Sequence, residues 1–197
     1  MDLRKAALAL GLTATPVLAA TPALADFDAE SYPPYERCAL CHGLFGVSAN
    51  PRFPHLGGQK PAYLAAQIRA FLDGARHNDG GQMVAIVTEL AAADIPVAVA
   101  WFASQDPPPP TGQIAATTAY ADLGCAACHD DPADPLAPHL TAQHPEYLAK
   151  QMEDFRTGRR AGSDIADMHR ALLTDHAAAI VPLATDLAAT PRPDFPQ

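Results

Sequence analysis

The feature that most limits what this chain can become is a five-residue pattern that occurs twice, Cys38-Ala39-Leu40-Cys41-His42 and Cys125-Ala126-Ala127-Cys128-His129. It uses all four cysteines of the 197 residues. In Cys-x-x-Cys-His, two thiols three residues apart can add to the two vinyl groups of a haem while the adjacent imidazole is placed to ligate the iron. Two other chemistries use paired cysteines. A zinc site built from both pairs would have to bridge the 83 residues between Cys41 and Cys125, and the His after each pair fits haem better. A thioredoxin-type dithiol needs one motif in a βαβ context, and no such alternation of strands and helices is present.

The repetition extends well past the cysteines. The segment from Pro54 to Leu64 (Pro-His-Leu-Gly-Gly-Gln-Lys-Pro-Ala-Tyr-Leu) matches the segment from Pro138 to Leu148 (Pro-His-Leu-Thr-Ala-Gln-His-Pro-Glu-Tyr-Leu) at a constant offset of 84. The register continues through Gln67/Gln151, Phe71/Phe155, Gly74/Gly158 and Arg76/Arg160. Identities at one offset over this length indicate a duplicated module. The expected division is residues 26–105 and 113–197, joined by a linker at 106–112 whose four consecutive prolines favour an extended, semi-rigid path.

Residues 1–25 are set apart by Arg4 and Lys5, an apolar run, and Ala23-Leu24-Ala25 at its end, which together read as a cleaved export signal. The expected mature chain is therefore exported, with no further run of the roughly 20 apolar residues that a spanning helix needs. The full chain carries a net charge of −9, and removal of the leader, with two basic residues and one acidic, takes it to −10. Such a balance argues against nucleic acid and anionic lipid as partners. Of the hydrophobic half of the composition, 42 residues are alanine, so side chains large enough to fill two cores are scarce. A porphyrin in each module would supply the missing apolar volume.

The modules read as all-α. Leu64, Ile68, Phe71 and Leu72 recur at helical spacing, as do Leu148, Met152 and Phe155, with Pro61 and Pro145 at the first turns and Gly74 and Gly158 past the ends. A further helix is expected from Asp94 through Trp101-Phe102, and another over Gln113–Ala127 leading into the second motif. An iron held by one His needs a sixth ligand. Met83 lies 42 residues after Cys41 and Met168 lies 40 after Cys128, one residue out of the repeat register, whereas Met152 aligns with Ile68 on an apolar helix face and reads as core filling. Histidine competitors are His77, His169 and His176, none of which pairs off in the repeat.

These motifs, the two Cys-x-x-Cys-His modules with a Pro-x-Leu-x-x-Gln-x-x-x-Tyr-Leu-x-x-Gln segment and a later Met, resemble the two-haem cytochrome c4 family, a duplicated class I cytochrome c. The resemblance implies two covalently bound haem c groups, His42 and His129 as proximal ligands, and Met83 and Met168 as distal ligands. It also implies lobes that face each other with the haem propionates near their interface. Pro54 and Pro138 match the family proline whose carbonyl accepts the proximal imidazole proton. The family works in periplasmic electron transfer, commonly feeding a terminal oxidase.

The chain departs from that pattern in three places. Tyr32-Pro33-Pro34-Tyr35-Glu36-Arg37 cannot form a long first helix. Pro182, Asp186 and Leu187 stand where the first copy has Val97, Trp101 and Phe102, removing an aromatic contact from the second copy. Asp130 replaces Gly43. His55 and His139, which recur, are expected as partly exposed loop residues. Residues 106–197 sum to −7 against −3 for 26–105, and Asp130, Asp131 and Asp134 suggest an acidic rim that would attract a basic docking surface.

The leading expectation is a periplasmic single-electron carrier whose redox partners are a terminal oxidase, a cytochrome complex or a dehydrogenase. The alternatives are the haem subunit of a periplasmic dehydrogenase, as in flavocytochrome sulfide dehydrogenases, and a haem enzyme. The last lacks any cysteine free to ligate iron.

Overall fold

In the computed structural model, which describes residues 32–193, the prolines and glycines of the repeat punctuate helices as the sequence predicts. The leader expected at residues 1–25 lies outside the described residues. Helix α1 (Tyr35–His42) starts directly after Pro33-Pro34 and is only eight residues long. Helices α2 (Pro61–Leu72) and α7 (Pro145–Arg156) each begin on their proline, whose missing N–H costs nothing in the first turn. Helices α3 (Gln82–Val87) and α4 (Asp94–Ala103) complete the first copy. In the second copy, one-turn helices α5 (Ala119–Asp122) and α6 (Ala126–His129) precede α7. Helix α8 (Asp164–Asp175), a 3-10 turn (Ala177–Ala179) and α9 (Ile180–Ala189) follow it. No strand occurs among the described residues.

Two separate apolar clusters hold these helices. The first gathers Leu64, Val99 and Phe102, with Tyr35, Leu56 and Ile68 at its edge. The second gathers Ala119, Leu148, Leu183, Ala184 and Leu187, edged by Leu140 and Met152. Met152 thus fills core space. Both clusters are small, consistent with the shortage of large side chains.

The helix expected over 113–127 does not form as one element. Residues 113–118 are non-helical, with Ala116 in the left-handed region at φ 59°, and only Ala119–Asp122 and Ala126–His129 wind up. The cause is Asp186, one of the residues that breaks the repeat. Its buried carboxylate accepts the amides of Ala115, Ala116 and Thr117, the last at 2.7 Å. Three successive N–H groups turned toward one carboxylate fix a turn. In the first copy Trp101 serves the corresponding junction differently, stacking on Tyr35 at 4.1 Å and 9° while its indole N–H donates to Leu44 O at 2.8 Å. We expect Asp186→Ala to destabilise the protein by about 3 kcal/mol, because several backbone donors lose their acceptor at once. Denaturant unfolding checks this, and a change within 0.5 kcal/mol, roughly what an unremarkable surface substitution costs, would discard the role.

Gly43 and Asp130 differ for a related reason. Gly43 has φ 78°, and a Cβ there would lie 2.3 Å from Val47 O, so the loop after the first motif requires glycine. The second loop is three residues shorter. Asp130 sits there at φ −97° and its carboxylate accepts the Tyr120 hydroxyl at 2.7 Å.

Candidate haem sites and the interface between the copies

Each Cys-x-x-Cys-His motif ends on a helix, and each histidine is already held from behind. His42 Nδ1 donates to Pro54 O at 2.8 Å and His129 Nδ1 donates to Pro138 O at 2.7 Å. Burial pushes both imidazoles below the usual histidine range, so each is neutral with Nε2 as its free acceptor, the state a metal ligand requires. All four thiols are unpaired. Burial raises the Cys38 and Cys125 thiols, leaving them protonated at neutral pH. Among the described residues no three His, Cys, Asp or Glu side chains converge on a common point.

The distal candidates are less uniform. Met83 is half-buried at the second position of α3, its amide donating to Asp79 at 2.5 Å. Met168 lies on α8 and is 50% exposed. Its neighbour His169 faces inward instead, stacked on Phe155 at 4.7 Å with its ring 6.1 Å from that of His129. Successive residues on a helix diverge by about 100°, so α8 presents sulfur and imidazole on different faces. His77 is exposed and bonded to Gly74 O.

The repeated residues that looked like marks of duplication prove to join the copies. Gln59 exchanges two hydrogen bonds with the His139 backbone (3.0 and 2.9 Å), and Gln143 does the same with the His55 backbone (3.0 and 2.8 Å). A second reciprocal set involves the arginines. Arg76 donates to Gln67 and Gln151 (2.7 and 3.0 Å) and to Tyr147 (3.2 Å), while Arg160 donates to Gln151 and Gln67 (2.9 and 3.0 Å) and to Tyr63 (3.5 Å). Each guanidinium also lies over its own copy's phenylalanine, Phe71 or Phe155. Polar identities at a fixed offset, where free surface would drift, were the available signal for this pseudo-twofold contact.

That cluster bears on the cofactor. Neither Arg76 nor Arg160 makes an ion pair with a carboxylate among the described residues, and both share the same two neutral amide oxygens. Two adjacent cations with neutral partners suit a cofactor that brings its own carboxylates, as haem does. Taken with the two histidines and four thiols, the donor set fits two haem groups.

His55 corrects the expectation of a partly exposed loop residue, since only 5% of it is accessible. Its Nδ1 accepts the Ser48 amide at 3.0 Å, and its ring lies 3.9 Å from that of His144, which donates to Ser48 O. Burial, reinforced by His144 and Arg192, pushes His55 down to about 4, and burial with Arg192 does the same to His139. The unfolded chain therefore binds more protons between pH 4 and 6.5. Stability from these residues is complete above pH 6.5 and is lost as pH falls toward 4, by about 3 kcal/mol for His55. Thermal unfolding across that window should show the slope, flattened in His55→Asn with His139→Asn. An unchanged slope in the double variant would refute the assignment.

The acidic loop also differs from a free rim. Lys60 Nζ donates to Asp131 O and Asp134 O at 2.9 and 2.8 Å, another tie between the copies. The Asp134 carboxylate accepts the Leu136 and Ala137 amides.

No family model matches the chain. Cytochrome c4 of Pseudomonas aeruginosa is 35% identical over 142 residues, 62% of this chain and 68% of that protein. A thiosulfate dehydrogenase electron acceptor of Thiomonas intermedia is 31% identical over 173 residues, 78% of each. The solved structure of Acidithiobacillus ferrooxidans cytochrome c4 superposes with a TM-score of 0.65 over 79% of this chain and 99% of that one, at 24% identity.

Proposed function

The chain belongs to the cytochrome c4 family, and from that premise we propose that Cys38/Cys41 and Cys125/Cys128 attach its two haem c groups, with His42/Met83 and His129/Met168 as axial ligands. It is a two-haem electron-transfer cytochrome, a carrier and not an enzyme. The observation that carries the ligand reading is the twice-built pair of a neutral histidine, buried in the first copy and partly buried in the second, and the proline carbonyl that fixes its ring. Bound haem supplies a one-electron couple. The protein's own contribution would be to hold each imidazole in one tautomer and to supply, through Met83 and Met168, a sulfur ligand that raises the potential.

We further propose residues 26–105 and 113–197 as the two haem modules, joined by 106–112, with residues 1–25 directing export to the periplasm. No helix among the described residues is long and apolar enough to cross a membrane. Its partners are redox proteins. The net charge of −9 supports a basic docking surface on the partner. A second reading has a specific support, the likeness to a thiosulfate dehydrogenase electron acceptor. In that reading the chain takes electrons from a dehydrogenase that oxidises sulfur compounds.

Rapid mixing with a reduced basic donor protein tests both the carrier role and the docking. Each chain should accept two electrons, at a rate that falls several-fold as ionic strength rises from about 0.01 to 0.15 M and the screening length shrinks from about 30 to 8 Å. Uptake of one electron per chain would sink the two-haem assignment, and uptake of none would sink the carrier role. A salt-insensitive rate would sink the acidic docking surface.

A further inference from the structure

Arg192, in the tail that follows α9, is a buried cation with no ion-pair partner among the described residues. It is 9% exposed, and its two terminal nitrogens donate to Gly57 O at 2.7 Å and Thr141 O at 3.4 Å. Its Nε is the one buried side-chain nitrogen or oxygen among the described residues without a hydrogen-bond partner. It forms no ion pair with a carboxylate among those residues. Burying an unpaired charge is expensive, and such violations of ordinary packing collect at functional positions.

The two acceptors explain its placement. Gly57 and Thr141 are equivalent at the offset of 84, and each stands three residues beyond the proline whose carbonyl holds a proximal histidine. His55 and His139, an equivalent pair again, both feel its charge. The position that corresponds to Arg192 in the first copy is Pro108. A single guanidinium therefore bridges the two proximal loops. Burial lowers it only to about 10, so it is charged at neutral pH.

We propose that Arg192 is a positioning charge shared by both redox centres, which raises the two haem potentials together. The physical reason is simple. A ferrous haem carries one positive charge fewer than a ferric one, so a fixed cation inside a low-dielectric interface favours reduction at both irons. This inference rests on the haem assignment above.

The test is a redox titration of the holoprotein, with haem content and the far-red sulfur-to-iron band recorded on the same samples. Arg192→Gln should lower the reduction equilibrium of each haem against a common mediator by roughly three- to tenfold, about 28 to 59 mV at 59 mV per tenfold for one electron. Arg192→Met, an apolar side chain of similar length, should do the same and serves if the Gln variant does not fold. Arg192→Lys should remain within about twofold of the parent at both haems. Potentials that stay within twofold in the Gln or Met variant, a shift at one haem only, or a Lys variant displaced as far as Gln would each overturn the proposal. Absence of the far-red band from the parent protein would instead overturn the ligand assignment.

Discussion

Replacing Cys125 and Cys128 by alanine is expected to reduce the haem content from two per chain to one and to cost the second copy its cooperative fold. The reasoning starts from volume. That copy buries three leucines and two alanines in its cluster, far less than a module of about 80 residues needs, since domains below roughly 70–80 residues rarely hold themselves with a single core and rely on a staple or cofactor. Without thioethers the haem is not retained, and the leucines then face a void. The first copy has an independent cluster around Leu64, Val99 and Phe102, stiffened by the Tyr35–Trp101 stack, so its haem and its far-red band should persist. Intact mass and a haem assay read the count, and two-phase thermal unfolding reads the loss. Retention of two haems, or an unaltered single transition, would contradict the account.

The second large effect is expected at the methionines. Met83→Ala and Met168→Ala should each remove one half of the far-red band, lower one haem potential by something on the order of 100 mV, and open that iron to carbon monoxide. Axial ligands span about 0.8 V in haem proteins, so a change of this size is modest for loss of the sulfur. His169→Ala is the decisive companion, because His169 faces inward near His129 while Met168 is half-exposed. If Met168 is the ligand, the His169 variant keeps both halves of the band. If the Met168 variant keeps the band and the His169 variant alters the spectrum, the ligand set of the second haem is bis-histidine and the reading fails there.

The sequence made some of this legible because some of it is local. Pro61 and Pro145 announced helix starts, Asp94 began α4 where expected, and the motif positions followed from spacing alone. The failures share a cause. The stretch 113–118 looked helical from its own composition, and only Asp186, some 70 residues away, turns its amides elsewhere. His55 reads as a partly exposed loop residue because its burial comes from the other copy, through Gln143 and His144. Gln59, Gln67, Arg76 and their counterparts were visible as repeats, yet nothing in one copy says that the partner of each is the other copy. Arg192 lies outside the repeat and carried no sequence signal.

The central claim is two haems per chain, each held between histidine and methionine. The oxidised parent protein tests it most directly, by haem content per chain together with the intensity of the far-red sulfur-to-iron band per haem. The account predicts two haems and a band of full intensity for both. One haem per chain, or a band of half intensity or none, would contradict it.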